Sequence, residues 1–207
     1  MNLGIVSDEI SKDFEAALRV CKDLGIRRVE VRNLAAGRAP MCGEAAMAER
    51  TVERLAAAGY ERYEISSFAR PGFAARHNTS YWDGSDYLGL GAGAHSFSAE
   101  PAPGRRWANE RRPERYLAAM RERGTAVATE ERLSPAQARG EFCFTGLRQA
   151  AGVDLVRFRR RFGVALRTAF PHVERLIADG LVEASGDRVR LTARGFRYAD
   201  TVAASFV

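Results

Sequence analysis

The chain has 207 residues, of which 46% are hydrophobic and 28% are charged. This composition is typical of a globular protein with one large domain or two small ones, and it excludes an intrinsically disordered chain. No apolar run approaches the roughly 20 residues of a membrane-spanning helix, and the N-terminus lacks the layout of a signal peptide. The sequence therefore predicts a cytoplasmic protein with no membrane span.

The net charge of +6 raises the question of nucleic-acid binding. Lys12 and Lys22 are the only lysines among 32 basic residues, and the others are arginine. This pattern indicates a coding bias toward arginine rather than a basic stripe, and it predicts a different origin for the first 36 residues. The three cysteines, Cys21, Cys42 and Cys143, form no CxxC pair and no zinc spacing, so we expect reduced thiols.

The first 36 residues have the pattern of a β-α-β unit. Residues 3–6 suit a buried strand, Ser11 is placed to cap a helix over residues 12–24, and Gly25 ends that helix. Residues 28–31 then suit a second strand. Because the connections are short, this order favours a parallel sheet.

This unit resembles, over residues 1–34, the opening of sugar-phosphate isomerase and epimerase barrels of the xylose-isomerase-like type. The resemblance implies that Glu30, at the end of the second strand, faces an active site; a glutamate that faces solvent is the alternative. The following residues 35–43, with Gly37 and Pro40, lack periodicity and indicate a joint between segments.

The next segment, residues 37–112, carries an unusual density of aromatic, ionisable and glycine residues. A helix over residues 44–58 is expected to end at Gly59, and residues 61–68 suit one strand that ends at Arg70-Pro71-Gly72. The run over residues 89–94 lacks the spacing of a dinucleotide-binding loop. It predicts a strand of small residues where a ligand or another backbone approaches closely.

Three strings in this segment carry a family resemblance: GYERYEISSFARPG, HNTSYW and DYLGLGAGAHSF. Their order resembles that of the HemW-type haem chaperones, which are relatives of the oxygen-independent coproporphyrinogen oxidases in the radical-SAM superfamily. The resemblance covers residues 41–207, with Ser67 standing where the family commonly has asparagine. It implies a protein that binds haem or a porphyrin, with haem-accepting apoproteins as further partners.

The resemblance also implies a site. An imidazole is a natural axial ligand of haem iron, aromatic rings stack on a macrocycle, and guanidinium groups pair with propionates. The predicted haem-binding residues are His77 as the iron ligand with Asn78, Tyr81, Trp82, Arg70 and Arg76, and the predicted lining residues are Glu64, Gly91, Gly93 and His95. In the alternative, His77 and Asn78 only cap a turn while Tyr81 and Trp82 anchor the loop.

One hallmark of the radical-SAM superfamily is missing from this sequence. Complete members hold an iron–sulfur cluster on a CxxxCxxC motif and use S-adenosylmethionine, and the three cysteines here do not have that spacing. The sequence therefore predicts a truncated or fused family member without radical-SAM activity.

The last segment, residues 113–207, has the pattern of a helical domain with a β-hairpin. Helices are expected over residues 113–124, 135–149, 154–162 and 165–179, followed by a hairpin around Ser185-Gly186-Asp187. Helices followed by such a hairpin are typical of a winged helix. The rival function is therefore a winged-helix nucleic-acid-binding protein, although few basic residues lie on the third helix and Pro171 interrupts it.

The predicted fold class is thus α/β. A partial (β/α) barrel is expected first, followed by a winged-helix-like C-terminal domain.

Overall fold

The computed structural model describes residues 4–6, 10, 13–31 and 45–207, and the side chains of all of these except 4–6 and 45–49. The predicted joint at residues 35–43, the predicted cap Ser11 and the thiol of Cys42 lie outside the described residues. No helix of the described part is long and apolar enough to cross a membrane.

A four-stranded sheet with two helices forms the first part of the chain. The elements are β1 (Gly4–Val6), α1 (Phe14–Asp23), β2 (Arg28–Glu30), α2 (Ala45–Ala57), β3 (Glu61–Arg62) and β4 (Ser67–Ala69). The strand order is β1-β2-β4-β3. Strand β1 is parallel to β2, which confirms the predicted β-α-β unit, whereas β4 is antiparallel to both β2 and β3.

Asp13 is the cap of α1. The Asp13 carboxylate accepts hydrogen bonds from the backbone N–H groups of Glu15 and Ala16, which would otherwise lack partners in the first turn. Gly25, with a φ of +62°, follows the helix as predicted. Behind the sheet lies the first hydrophobic core, formed by Leu18, Cys21, Ile26, Val29, Leu55, Tyr60 and Phe68.

The prediction of a single strand over residues 61–68 was wrong. The segment forms two strands, β3 and β4, that pair with each other in antiparallel register. The buried Glu64 carboxylate closes the turn between them, because its Oε1 accepts from the backbone N–H and the hydroxyl of Ser66 at 3.1 and 3.2 Å. The sequence pattern favoured an extended backbone through these residues. The hydrogen bonds of the Glu64 side chain to Ser66 stabilise a turn there instead.

A second, antiparallel sheet follows the helix that carries HNTSYW, and the sequence did not predict it. The elements of this part are α3 (Arg76–Trp82), β5 (His95–Ser98), β6 (Arg105–Asn109), α4 (Pro113–Arg123) and β7 (Val127–Arg132). The strands pair in the order β5-β6-β7. The predicted helix that begins at Pro113 is confirmed, and it ends at Gly124 with a φ of +69°.

The C-terminal part packs its helices around a third small sheet. The elements are α5 (Pro135–Gly146), β8 (Val153–Asp154), α6 (Leu155–Phe162), α7 (Leu166–Ala169), α8 (Val173–Ala178), β9 (Val182–Ser185), β10 (Arg188–Leu191), α9 (Ala193–Phe196) and α10 (Ala199–Ala204). The strand order of this sheet is β8-β10-β9. Ser134 caps α5 in a reciprocal capping box with Gln137, and Asp154 caps α6, both where the sequence placed a helix start.

The one long helix predicted over residues 165–179 is broken. Helix α7 ends before Phe170, which has an extended φ of −134°, and α8 begins at Val173. Pro171 causes the break, since it lacks a backbone donor and disfavours helical backbone in the residue before it. The helix predicted to reach residue 149 likewise ends at Gly146.

The second hydrophobic core lies in this C-terminal part. It is built by helices α5 to α10 and the β9-β10 hairpin, and its largest fully buried member is Phe158. The described elements are mixed helix and sheet, in agreement with the predicted α/β class. The partial barrel and the winged-helix arrangement stay predictions.

Candidate functional site

Helix α3 carries the HNTSYW string and separates its side chains onto two faces. Residues four apart lie on the same side of a helix, so His77 shares a face with Tyr81, and Asn78 shares a face with Trp82. His77 is exposed and Tyr81 keeps 39% of its surface exposed, whereas Asn78 and Trp82 are half-buried. The helix thus presents one face to solvent and one to the rest of the protein.

On the exposed face, His77 and Tyr81 form a hydrogen-bonded pair. The Tyr81 hydroxyl lies 3.0 Å from His77 Nε2, and the two rings meet edge to face with centroids 5.0 Å apart. When Nε2 carries the proton and donates it to the tyrosine oxygen, the lone pair on Nδ1 is left for another partner. The phenol therefore orients the imidazole and influences its tautomer.

The exposed face continues into a row of aromatic rings. Tyr81 packs edge to face on Tyr87 at 4.8 Å, and Tyr87 lies 6.1 Å from Phe97 of strand β5. Burial raises the pKa of the Tyr87 phenol. The row places an apolar, aromatic surface directly beside His77.

On the inner face, Trp82 joins α3 to the C-terminal helices. The Arg148 guanidinium lies over the indole at 4.9 Å, and its Nη1 donates to the Asp200 carboxylate of α10 at 3.0 Å. The Trp82 Nε1 and Arg148 Nε atoms are buried, with no hydrogen-bond partner among the described residues. This stack fixes one edge of α3 against the second core.

The predicted propionate partners lie in different places. Arg76 is exposed at the start of α3, next to His77. Arg70 follows strand β4, and its guanidinium lies 5.6 Å from the centre of the Tyr60 ring of the first core. Glu64, predicted to line the site, is 3% exposed and holds the β3-β4 turn.

The glycine run over residues 89–94 is a looped segment and not the predicted strand. Gly91 and Gly93 have φ angles of +100° and +70°, which side-chain-bearing residues rarely adopt. The Asn109 side chain donates to the Gly91 carbonyl at 3.0 Å and thereby ties the loop to β6.

The predicted close backbone approach occurs at Gly89. A Cβ there would lie 2.2 Å from the His95 carbonyl oxygen. The His95 side chain is exposed at the start of β5.

The described thiols do not fit an iron–sulfur cluster. Cys21 lies in the first core and Cys143 in the second, and burial raises the pKa of both thiols, which opposes the thiolate form that binds iron. Within the described part of the chain, no group of three His, Cys, Asp or Glu side chains is arranged to hold a metal ion.

Three residues that build the surroundings of His77 were not assigned a role from the sequence: Tyr87, Phe97 and Arg148. Tyr87 lies in the motif region, and its aromatic character was the only signal available. The same holds for Phe97, the last residue of the string DYLGLGAGAHSF. Arg148 reaches the site through long-range packing, which leaves no local mark in the sequence.

Comparison with known proteins relates the chain to two named groups. Residues 133–198 match a family model described as the HemN C-terminal domain. The chain is 33% identical over 169 residues to the heme chaperone HemW of Bacillus subtilis, an overlap of 81% of this chain and 44% of that protein. It is 37% identical over 149 residues to the heme chaperone HemW of Mycobacterium tuberculosis, with shares of 72% and 35%.

The chain is thus related to the HemW heme chaperones and, in its C-terminal part, to HemN. It spans less than half the length of these two HemW relatives. Its fold resembles that of a solved structure described as coproporphyrinogen III oxidase (HemN) from Escherichia coli, a radical SAM enzyme, with a TM-score of 0.68 and 18% identity over 93% of this chain and 50% of that one. Since the match covers 93% of this chain, it includes part of the first 36 residues. The foreign origin of those residues and the active-site role of Glu30 stay predictions.

The rival nucleic-acid function is not favoured. Several arginines of the C-terminal part are paired with carboxylates inside the protein: Arg167 with Glu174, Arg188 with Asp154 and Arg190 with Glu183. The break at Pro171 also removes the long third helix that would enter a DNA groove.

Proposed function

We propose that this chain binds haem or a related porphyrin at the exposed face of α3, as a member of the HemW and HemN family that does not carry out radical-SAM chemistry. The observation that carries the proposal is the His77–Tyr81 pair. It combines an exposed imidazole, a phenol that orients it at 3.0 Å, and a row of aromatic rings beside it. The chaperone name of the HemW relatives supports the same ligand.

In this proposal His77 supplies the axial ligand for the haem iron, and Tyr81 with Tyr87 provides the apolar contact surface for the macrocycle. Arg76, at the start of α3, is the nearest predicted partner for a propionate carboxylate. Asn78 and Trp82 hold the helix in place, since Arg148 already covers one face of the indole. Arg70, Glu64, Gly91, Gly93 and His95 are secondary candidates for contacts with a bound porphyrin.

The remainder of the proposal concerns the scaffold. We infer that residues 37–112 correspond to part of a radical-SAM-type barrel and that residues 113–207 form a winged-helix-like domain that covers it. The likeness to HemN over 93% of the chain supports this assignment. Apoproteins that accept haem are the expected partners, as the name of the relatives suggests.

Titration of the purified protein with haemin tests the proposal. We expect a saturable shift of the porphyrin absorption band, and we expect His77→Ala to weaken the affinity at least about tenfold, which is about 1.4 kcal/mol of binding free energy. Tyr81→Phe keeps the ring but removes the hydroxyl at Nε2. Loss of this one hydrogen bond should weaken the affinity by about 1 kcal/mol, which is roughly fivefold, and change the ligation spectrum.

His172→Ala is the matched control, because it removes another histidine from the C-terminal part. The His172 ring packs between Phe170 and Phe206, so folding of each variant is checked by circular dichroism. Equal losses in the His77 and His172 variants, or no loss in either, would contradict the proposal and indicate nonspecific haem adsorption.

A further inference from the structure

A groove with a volume of about 750 Å³ lies beside helix α6 of the C-terminal part. One wall is formed by helices α5 and α6, and the other by the loops after α3 and β5. Its charged lining consists of Arg139, Arg157, Arg160, Arg161, Asp86 and Glu100. The arginines exceed the acids, so the groove has an excess of positive charge.

The helical spacing explains how three of these guanidinium groups meet. Arg157, Arg160 and Arg161 lie at positions i, i+3 and i+4 of α6, which share one side of a helix. Arg139, on the neighbouring helix α5, adds a fourth cation from outside that helix. Arg159 belongs to the same turn of α6 but does not line the groove.

The two carboxylates of the groove, Asp86 and Glu100, offset only part of this charge, although both raise the pKa of Arg161. Asp86 is already engaged, since its Oδ1 accepts from the backbone N–H of Ala99 at 2.7 Å and its Oδ2 from the Ser98 hydroxyl at 3.0 Å. Among the described residues, no carboxylate lies within ion-pair distance of any of the four arginines.

Arg161 shows that the cations are crowded. Its Nη1 and Nη2 atoms make long contacts, at 3.5 and 3.4 Å, with the carbonyl oxygens of Gly84 and Pro103. Burial lowers the pKa of Arg161 and the charge of Arg157 lowers it further, while the charges of Asp86 and Glu100 act in the opposite direction without reversing the shift. An anion in the groove would offset the repulsion between the guanidinium groups of Arg157 and Arg161.

We propose that this groove binds a small organic molecule that carries at least two carboxylate or phosphate groups. Guanidinium forks pair with both kinds of oxyanion, and the volume lies in the range of small-molecule sites. Phe162, Pro103 and Pro135 supply an apolar wall for the carbon skeleton. None of its lining residues belongs to the predicted porphyrin site, and the proposal does not depend on the porphyrin proposal.

A simpler explanation accounts for only part of the cluster. Cations near the C-terminus of a helix are favoured by the helix dipole, and this applies to Arg159, Arg160 and Arg161 in the last turn of α6. It does not account for Arg157 or for Arg139, which reaches the groove from the first half of another helix.

Calorimetric titration with two probes, pyrophosphate and citrate, tests the proposal in the full chain at low salt. We expect saturable binding of at least one probe and a loss of at least about tenfold in affinity in the double variant Arg139→Gln/Arg160→Gln. The control Arg115→Gln/Arg159→Gln removes the same charge from exposed positions outside the groove and should keep the wild-type affinity. Binding of only pyrophosphate identifies a phosphate site, and binding of only citrate a carboxylate site.

Arginine modification of the wild-type protein gives a second readout that needs no variant. Pyrophosphate or citrate should protect the peptide with Arg139 from phenylglyoxal more than the peptide with Arg115, as measured by mass spectrometry. No saturable binding of either probe, equal losses in both double variants, or equal protection of both peptides would overturn the proposal. His77→Ala should leave probe binding unchanged.

Discussion

Cys143 illustrates how packing alters the chemistry of a single residue. The side chain is fully buried in the second core, and burial raises the pKa of its thiol far above the ordinary value. Desolvation disfavours the thiolate because the charged form loses its hydration in the core. The thiol is therefore protonated and inert at neutral pH, which makes it a core residue rather than a ligand or nucleophile.

The raised pKa predicts a loss of stability at alkaline pH. Above the ordinary thiol pKa the unfolded chain releases the Cys143 proton while the folded protein retains it, so the free energy of unfolding falls as the pH rises. The slope from this group approaches about 1.4 kcal/mol per pH unit. Urea unfolding of wild type and Cys143→Ala between neutral pH and about pH 10 measures it, since the variant should have the shallower slope. Equal slopes would contradict the assignment.

The residues of α3 show what a motif does and does not reveal. The order of HNTSYW before the glycine run was enough to predict the family and to select His77 and Tyr81, which the structure brings together. The division between an exposed face and an inner face follows from helical spacing once the helix is known. Arg148 over Trp82 was not predictable, because the contact joins distant positions through tertiary packing.

Among the elements, helix ends were the most predictable feature. Ser134, Asp154 and Gly124 lie where local chemistry placed a cap, because capping depends on neighbouring residues alone. The β5-β6-β7 sheet was missed since every residue of β7 is exposed and its sequence, VATEER, has no apolar alternation. Its pairing with β6 is a long-range property.

The glycine loop offers a test of element packing. Gly89→Ala would place a methyl group 2.2 Å from the His95 carbonyl oxygen, so either the loop or strand β5 must move. We expect a loss of about 3 kcal/mol in the free energy of unfolding, at the upper end for overpacked sites. Gly93→Ala meets only contacts of 3.7 Å or more and should cost about 1 kcal/mol, from its φ of +70°. Thermal and urea unfolding compare the two, and an equal loss would contradict the close approach.

At the scale of the whole molecule, the two cores lie in different parts of the chain. The first draws its members from α1 to β4, and the second draws its buried residues from position 142 onward, with Ile65 the contributor from the N-terminal half. A core whose contacts are nearly all local to one segment does not need the rest of the chain to bury its apolar surface.

This arrangement predicts that a fragment of residues 133–207 folds on its own. We expect a cooperative thermal transition by circular dichroism and a dispersed amide NMR spectrum, because the fragment retains the fully buried members of the second core. The matching fragment of residues 1–132, which lacks that core, serves as the comparison. A non-cooperative transition in the 133–207 fragment would show that the second core depends on the N-terminal half.

Trp82 spans the boundary between these two parts, since it belongs to α3 while its indole lies under a guanidinium from the C-terminal helices. Its fluorescence should therefore depend on how α3 sits against the second core. The other tryptophan, Trp107, lies in strand β6 beneath Arg105 and provides an internal reference. The protein thus contains an intrinsic optical reporter for any ligand that displaces or steadies α3.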